Sequence, residues 1–296
     1  MILITGGTGL IGSKLSETLV KRGHEVVILS TQKNTPHSYW NPKRKVFDKS
    51  LLARTEYIVH LAGANIADGR WSANRKQLLS ESRCETIDFL FNQFKHANHK
   101  LKSVVSSSAI GYYGSSTTEK IHTEDEVHAN DFLGNMSKDW ENAALQFESL
   151  GVRTSIIRTG IVLSKHGGAL SKIAPLTKIG LGSPQGSGKQ YMPWIHIDDL
   201  CEMYCRALFD SKLSGPYNGV APEHVTNAEF NQHLAHSLGS RIYLPPVPTF
   251  LLRLILGEMS QIVTEGSRVS AEKNLKISLD YKHLTLTSAL KQIFNK

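Results

Sequence analysis

The sequence contains little cysteine and no long apolar run, and each absence excludes a class of protein. Its 296 residues include three cysteines, Cys84, Cys201 and Cys205, which give neither a disulfide framework nor the spacing of a zinc site. No apolar stretch is long enough to span a bilayer, and residues 1 to 5 are needed as a strand, which leaves no room for a leader. We therefore expect a cytoplasmic protein without membrane contact.

Positive charge exceeds negative charge, yet nothing in its pattern indicates nucleic acid. Lysine and arginine number 34 against 26 acidic residues, a formal net charge of +8. The basic residues are scattered, with one short cluster at Lys43-Arg44-Lys45, and no aromatic-rich RNA-binding motif accompanies them. A basic surface suits a phosphorylated cofactor or substrate. We expect a small-molecule substrate and no nucleic acid.

A glycine-rich turn follows the first strand and predicts a dinucleotide site. The apolar strand Ile2 to Thr5 leads into Gly6-x-x-Gly9-x-x-Gly12, and an amphipathic helix begins near Leu10. Gly6 permits a tight turn, Gly9 lets the backbone approach a pyrophosphate, and Gly12 lets the helix pack closely on the sheet. The phosphates would then bind the free N–H groups at the start of the helix.

Strands and helices alternate after this turn, which predicts a parallel sheet wound on both faces. The second strand, residues 25 to 29, ends at Ser30-Thr31-Gln32-Lys33. An NAD site usually has an acidic residue near this point, and its carboxylate would repel a 2′-phosphate. No acid occurs between Val26 and Phe47, whereas four basic residues do. This pattern favours NADP.

Two later strands also end in residues suited to a ligand crevice. The strand from Tyr57 to Gly63 ends in small residues, and a helix is predicted around Ser80 to Phe94. The strand that starts at Ser103 carries three hydroxyls at its carboxyl end, the edge at which open α/β sheets bind ligands. We choose Ser108 as the hydroxyl that faces the nicotinamide and the substrate. Ser106 and Ser107 could instead satisfy backbone groups of the turn.

These segments resemble a known family along the whole chain. TGGTGLIG (5 to 12), HLAG (60 to 63) and SSSAIGYYG (106 to 114) resemble the extended short-chain dehydrogenase/reductases. NIADGRW (65 to 71) and GVRTSIIRTGIVLSKHGGAL (151 to 170) are similar to their epimerase-like branch. The resemblance implies an α/β fold, a Rossmann-type doubly wound parallel sheet with a smaller C-terminal substrate lobe. It also implies an NADP-dependent oxidoreductase or epimerase-like enzyme that acts on a small carbonyl or hydroxyl compound or on a nucleotide sugar.

The resemblance also implies which residues hold the cofactor. They belong to the diphosphate loop, the adenosine-ribose end, the strand under the cofactor, one helix position and the segment that walls the nicotinamide. In that order they are Gly6, Thr8, Gly9, Leu10, Ile11 and Gly12; Ser30, Thr31 and Lys33; Leu61, Ala62 and Gly63; Ser82; and Thr159, Gly160, Ile161 and Val162. Ser108 matches the catalytic hydroxyl of the family. No metal ligand is expected.

The chain departs from this family at its acid/base pair. A working enzyme of the superfamily carries Tyr-x-x-x-Lys on one helix, where the lysine lowers the pKa of the phenol that exchanges a proton. Here the lysine matches Lys138, and Gly134 stands where the tyrosine is expected. Tyr113, beside Tyr112 at the crevice end of the Ser108 strand, and His196 are the candidate replacements.

Two alternatives to such a replacement are compatible with the missing pair. The chain could perform a simpler hydride transfer in which substrate or water supplies the proton. It could instead be a catalytically idle NADP-binding protein that regulates or contacts a partner. The cofactor carries the hydride chemistry itself, so loss of the pair slows a reaction without forbidding it.

The alternation breaks down after about residue 165. We divide the chain into an NADP-binding domain, 1–165, which also receives part of 190–225, and a mainly substrate-binding lobe, 166–296. The loop Gly180 to Lys189 lacks the features of a P-loop, and its neighbours Lys189, Gln190 and Trp194 are expected to face the ligand. Arg241, Arg253 and Arg268 are further candidates for contacts with a substrate phosphate.

Two features of this C-terminal region bear on packing and assembly. Asp198 and Asp199 are expected to cap the helix that follows them. The apolar segment 249 to 264 is expected to be buried in the smaller lobe, and the alternative is a dimer surface. The protein would accordingly be a monomer or a homodimer.

Overall fold

The computed structural model describes residues 1–294 of the chain. A seven-stranded sheet, in which every neighbouring pair runs parallel, forms its centre. The strands of this sheet are β1 (Ile2–Thr5), β2 (Val26–Ser30), β3 (Ser38–Tyr39), β4 (Tyr57–His60), β5 (Ser103–Ala109), β7 (Arg153–Thr159) and β10 (Gly215–Gly219). Two parallel pairs lie outside it, β6 (Ile121–His122) with β11 (Arg268–Val269), and β8 (Ile161–Leu163) with β9 (Trp194–His196).

The strand order β10-β7-β5-β4-β1-β2-β3 reverses direction between β1 and β4. In doubly wound sheets the connections diverge at such a point and leave a crevice at the carboxyl ends of the strands. The expected Rossmann-type α/β fold is thereby confirmed. The ends of β1, β4 and β5 all meet this crevice.

Ten α-helices accompany these strands within the described residues. They are α1 (Leu10–Lys21), α2 (Ala73–Phe94), α3 (Phe132–Leu145), α4 (Gly168–Lys178), α5 (Ile197–Phe209), α6 (Asn227–Ser237), α7 (Thr249–Leu256), α8 (Gln261–Thr264), α9 (Glu272–Lys276) and α10 (Leu286–Phe294). The second helix begins earlier than expected because the Ser72 hydroxyl accepts a hydrogen bond from the Arg75 backbone N–H and caps it. Such a cap satisfies a free N–H group of the first turn.

Each face of the sheet has its own apolar core. Alternate residues of the strands point to opposite faces, so Ile4, Val105 and Ile157 pack with α1 and α5, whereas Leu3 and Val104 pack with α2 and α3. Cys201 and Cys205 are buried in the first core. A third core joins α4, α6 and α10 in the C-terminal part of the chain.

The segment 249 to 264 was expected to be buried, but its first part, α7, is not. None of the residues of α7 is buried, and burial in this segment begins only at Met259 and Ser260. Six of its eight residues are large and apolar, and Thr249 and Arg253 are the exceptions. Within residues 1–294, no helix combines the length and the apolar character needed to cross a bilayer.

Candidate active site

The glycine turn forms a cradle of bare backbone at the start of α1. Gly6 has φ 66°, and a Cβ there would lie 2.6 Å from the Leu61 carbonyl carbon at the end of β4. A Cβ on Gly12 would lie 2.3 Å from the Gly6 oxygen. Gly9 occupies the N-cap position of α1 without any side-chain cap. The N–H groups of the first turn are therefore available to an anion, and a cofactor diphosphate fits this cradle.

The end of β2 carries hydroxyl and ammonium groups. The Ser30 hydroxyl accepts a hydrogen bond from the Gln32 N–H (3.1 Å), which turns the chain outward. The exposed Lys33 follows, with its ammonium 5.5 Å from the centre of the Tyr39 ring. Lys43 lies nearby in sequence and pairs with Glu81 of α2 (3.5 Å). No carboxylate occupies residues 30 to 47, where an NAD site would place one.

Ser82 and Arg83 of α2 hold the segment Leu61 to Ala64 that follows β4. The Ser82 hydroxyl accepts a hydrogen bond from the Ala64 N–H (2.9 Å). Arg83 donates to the carbonyl oxygens of Leu79 (2.8 Å) and Ala64 (3.1 Å), and its guanidinium lies over the Trp140 ring. Ser82 thus fixes the backbone at this point, and Arg83 is the charged group beside it.

Arg83 is a site residue that the sequence did not single out. Its guanidinium reaches the space beside Gly63, because a Cβ on Gly63 would lie 3.3 Å from the Arg83 Cζ. Burial lowers the pKa of Arg83 to about 10, and within the described residues its Nε has no hydrogen-bond partner. A buried cation without a carboxylate is costly. Arg83 directly follows the predicted Ser82 in the sequence, but only tertiary packing shows that it points inward.

The predicted catalytic hydroxyl lies at the end of β5 and belongs to a buried ionic network. Ser108 is 2% exposed and donates a hydrogen bond to Glu141 Oε1 (2.7 Å). Arg158 of β7 binds the same carboxylate through two bonds of 2.9 Å, from Nε to Oε1 and from Nη2 to Oε2. Bidentate pairing of this kind is strong and directional. We call Ser108, Glu141, Arg158, Tyr113 and Asn218 the Arg158 network.

Glu141 and Arg158 were not predicted from the sequence, although each is a charged residue within an otherwise buried element. Glu141 stands on the buried face of α3, and Arg158 follows the apolar residues Ile156 and Ile157 in the buried part of β7. One acid and one base in otherwise buried elements indicate a pair, because an unpaired charge is rarely buried.

The side chain of Tyr113 points into the Arg158 network. Its hydroxyl donates to Asn218 Oδ1 (2.7 Å) and accepts from Arg158 Nη1 (3.0 Å). Burial raises the pKa of Tyr113 well above its usual range, which makes the phenol a weaker acid. The Tyr112 ring lies 3.5 Å from the Arg158 guanidinium. The engaged hydroxyl and the raised pKa disfavour Tyr113 as a proton donor.

The place of the expected tyrosine on α3 is closed by backbone. A Cβ on Gly134 would lie 2.1 Å from the Ala129 carbonyl oxygen, so no side chain fits there without displacing the preceding loop. Asp131 caps the helix at this point by accepting the Gly134 N–H (2.7 Å). Lys138 is exposed to solvent. The Tyr-x-x-x-Lys pair is thus absent, and its first position is filled.

His196 lies in a different place from Ser108. It lines a cavity of about 640 Å³ together with Thr8, Gly9 and Leu10 of the glycine turn. Its Nδ1 accepts the Asp198 N–H (3.2 Å), and its Nε2 bonds Gln292 Oε1 (3.0 Å). Burial lowers the pKa of His196, and neighbouring His283 lowers it further. The structure brings His196 to the glycine turn and not to the Arg158 network.

The cluster of His196, Asp198 and His283 has the donor set of a metal site. Its ligand atoms lie within 4.8 Å of one another. However, both nitrogens of His196 already have partners, and the Lys14 ammonium lies 2.9 Å from Asp198 Oδ1. The protein itself satisfies these groups, and an added cation would meet the charge of Lys14.

Residues 159 to 162, which were expected to lie beside the nicotinamide, pack against the segment 193 to 195. A Cβ on Gly160 would lie 2.4 Å from the carbonyl oxygen of Pro193, the residue that precedes β9. The backbones of these two segments therefore pack closely. Ile161 and Val162 pair with Trp194 and Ile195 in the small sheet and are half-buried.

Several expected ligand contacts lie elsewhere. Gln190 is buried, and its amide donates to the oxygens of Gln185 and Val263. Trp194 is fully buried in the third core. Both therefore hold the loop in place and do not line the crevice. Lys189, Arg241 and Arg253 are exposed, and Arg268 lies near Glu119 (3.5 Å).

The capping of α5 also differs from expectation. His196 occupies the N-cap position. The Asp199 carboxylate accepts the N–H groups of Lys282 and His283 and so ties α5 to the C-terminal segment.

A parallel sheet with a direction reversal, an uncapped glycine cradle at its crevice and a hydroxyl at the neighbouring strand end define a dinucleotide-binding protein of the Rossmann type. The model of the NAD dependent epimerase/dehydratase family matches residues 2–218. A second model, a domain of unknown function (DUF1731), matches residues 247–293. The chain belongs to the NAD dependent epimerase/dehydratase family and is an extended short-chain dehydrogenase/reductase.

Known proteins resemble it over their full length. The chain is 34% identical to the epimerase family protein SDR39U1 of Mus musculus, covering 99% of each chain. It is 32% identical to an epimerase family protein of Mycobacterium leprae over 98% of this chain and 94% of that one. The crystal structure of human SDR39U1 (isoform 2) with NADPH superposes with a TM-score of 0.91, at 33% identity and coverage of 100% and 99%. UDP-glucose 4-epimerase of Thermotoga maritima, 18% identical, shares the fold with a TM-score of 0.76, covering 99% of this chain and 97% of its own.

Proposed function

We propose that this chain is an NADP-dependent oxidoreductase or epimerase-like enzyme that acts on a small substrate with a hydroxyl or carbonyl group. The Ser108–Glu141 bond carries the proposal, because it places an oriented hydroxyl at the end of the strand beside the cofactor strand. Glu141 is itself held by Arg158, so the orientation of Ser108 does not depend on mobile surface groups. Rigid support of this kind is what a catalytic group requires.

Three observations support NADP over NAD. Residues 30 to 47 contain no carboxylate to repel a 2′-phosphate, and the exposed Lys33 lies just beyond β2. A relative that is 33% identical over the whole chain has been crystallised with NADPH. The diphosphate would bind at Gly9 to Gly12, and Arg83 beside Gly63 supplies a cation toward the same crevice. The nicotinamide ring of such a cofactor gives or takes a hydride.

The hydrogen-bond directions in the Arg158 network decide what Ser108 can offer a substrate. Arg158 can only donate, and an ionised Glu141 can only accept. Ser108 therefore gives its single proton to Glu141 and keeps only lone pairs for a ligand. Lone pairs bind a donor, so Ser108 favours the alcohol form of a substrate over its ketone.

The same directions suggest a route for the proton in the absence of the usual tyrosine. When a substrate hydroxyl gives its proton to Ser108 Oγ, the original Ser108 proton can move to Glu141 Oε1. Tyr113 is already engaged on both sides, and His196 lies at the cofactor loop. Ser108 with Glu141 is the pair best placed to accept the proton.

Cofactor choice is tested by titrating the protein with NADPH and with NADH and following nicotinamide fluorescence. We expect NADPH to bind about tenfold more tightly or better, the effect of about 1.4 kcal/mol of favourable charge. Tighter binding of NADH contradicts the assignment.

Catalysis is tested with a panel of secondary alcohols with NADP⁺ and of the matching ketones with NADPH. We expect Ser108→Ala to lower turnover by about 10² to 10⁴, the usual contribution of a group that handles the proton. Ser107→Ala is the matched control, because the Ser107 hydroxyl donates to the backbone oxygen of Ser108 from the other face of β5. Equal turnover in wild type and Ser108→Ala removes Ser108 from the site.

A second candidate is an NADP-binding protein without turnover. The closed backbone at Gly134 favours it, since the usual tyrosine cannot be accommodated. NADPH binding with no turnover of any pair on the panel supports this second candidate and contradicts the first.

A further inference from the structure

The C-terminal region presents an apolar surface that nothing in the described chain covers. More than half of the exposed large hydrophobic side chains lie in two short segments, residues 176 to 181 and 243 to 255. Phe250 is 73% exposed, Tyr243 72% and Leu254 70%. Monomeric soluble proteins rarely expose contiguous apolar patches of this kind without a partner. We call these two segments the α4–α7 patch.

The two segments are joined by contacts between residues 180–184 and 243–247. A Cβ on Gly180 would lie 3.4 Å from the Tyr243 ring. The Ser183 hydroxyl donates to the Pro245 oxygen (2.5 Å), and the Val247 N–H donates to the Pro184 oxygen (2.8 Å). The C-terminal end of α7 is fixed as well, because Arg70 donates to the carbonyl oxygen of Ile255 (2.8 Å). The patch is therefore a supported surface and not a frayed end.

The two segments contain positive charge and no negative charge, and the nearest acid in the sequence, Glu258, is paired with Lys76. No Asp or Glu occurs between Ser149 and Ile197, or between Phe230 and Gly257, and these stretches include both segments. Lys178, Arg241 and Arg253 are exposed within or next to the patch. Such a surface is complementary to an anionic partner.

This charge pattern argues against a second copy of the chain. A two-fold dimer places the same patch against itself. Its cations would then face each other without any acid to pair with, which is unfavourable across an interface. The occupant must be both apolar and anionic.

We propose that the α4–α7 patch docks on the surface of a membrane that contains anionic lipid. The exposed α7 would lie in the interface with its apolar residues among the upper acyl chains, and Arg241, Arg253 and Lys178 would contact the phosphates. Short apolar helices flanked by basic residues bind membranes in this way, and each basic residue near the surface strengthens binding about fivefold. The expectation of no membrane contact rested on the lack of a spanning segment, and a docked surface needs none.

The test is co-sedimentation of the full chain with vesicles of phosphatidylcholine alone, or with about 30 mol% phosphatidylglycerol. We expect binding to the anionic vesicles to be about tenfold stronger or more, and to weaken as salt rises and screens the charges. The double variant Phe250→Ser/Leu254→Ser should lose about tenfold or more, and Arg241→Glu/Arg253→Glu should abolish the preference for anionic lipid.

The controls separate docking from general stickiness. Val127→Ser removes an equally exposed apolar side chain elsewhere, and Lys100→Glu changes a remote charge; neither should alter vesicle binding. All the altered side chains are exposed, and NADPH affinity reports whether each variant keeps its fold. Equal binding to both vesicle types, or no binding, overturns the proposal and leaves an acidic protein segment as the occupant. A monomer–dimer equilibrium lost in Phe250→Ser/Leu254→Ser also overturns it, in favour of a second copy.

Discussion

The crevice edge has two halves, one formed by backbone and the other by charged side chains. The β1–α1 half is bare backbone, with glycines whose Cβ atoms would strike neighbouring carbonyl groups. The β5–β7 half is a set of buried charged side chains that hold one another in fixed directions. The first half offers a ligand its shape and its free N–H groups, whereas the second half depends on each charged partner being present. Loss of one group should therefore matter more in the second half than in the first.

The largest effect should follow removal of the carboxylate at the centre of the Arg158 network. Glu141→Ala leaves the buried Arg158 charge unpaired, and we expect a loss of about 3 to 5 kcal/mol in the free energy of unfolding. Urea denaturation measures it. Glu202→Ala breaks an exposed pair with Arg22 and should cost less than about 1 kcal/mol. Equal losses in both variants would show that the network is no more critical than a surface ion pair.

The next effect tests whether the missing tyrosine can be restored. Gly134→Tyr forces a side chain against the Ala129 oxygen, and we expect a loss of about 1 to 3 kcal/mol or more with no gain in turnover. Thermal unfolding and the substrate panel measure the two outcomes. Asn135→Ala, exposed on the same helix, should be nearly neutral. A stable and faster Gly134→Tyr variant would contradict the closed backbone.

A pH effect should come from His60, which lies beneath the crevice. Its Nε2 bonds Thr86 (2.9 Å), and Trp140 donates to its Nδ1 (3.3 Å). Burial, with a smaller contribution from Arg83, lowers the pKa of His60 to about 3. The unfolded chain binds a proton below its pKa of about 6.5 and the folded chain does not, so stability falls as pH drops from about 6.5 toward 3.

Unfolding in urea at about pH 7.5 and about pH 5 should therefore differ by about 2 kcal/mol through His60 alone. The variant His60→Gln should show a smaller difference between these two pH values. His96→Gln, at an exposed histidine, should behave as the wild type. An unchanged pH dependence in His60→Gln would show that His60 is not its source.

The smallest effect concerns Lys33, an exposed side chain that follows β2, the strand next to β1. Lys33→Ala removes one exposed charge, and we expect NADPH affinity to fall up to about fivefold while NADH affinity stays the same. Fluorescence titration of both cofactors checks this difference. Lys21→Ala, an exposed lysine at the far end of α1, should change neither affinity. Equal losses for NADPH and NADH would show that Lys33 does not recognise the 2′-phosphate.

The sequence alone determined the β1–α1 half of the crevice edge. Strand β1, the glycine turn and the start of α1 lie within twelve consecutive residues, so the steric need for glycine is visible locally. Strand alternation likewise determined that the sheet is parallel and covered on both faces.

Only the tertiary structure decided the rest. Glu141 and Arg158 are 17 residues apart on different elements, and a charge reveals its partner only when both are buried together. The same holds for Tyr113, whose hydroxyl is engaged by groups from two other strands. The exposure of α7 was also beyond the sequence, because an apolar segment predicts burial wherever a neighbour exists to cover it, and here none does within the described chain.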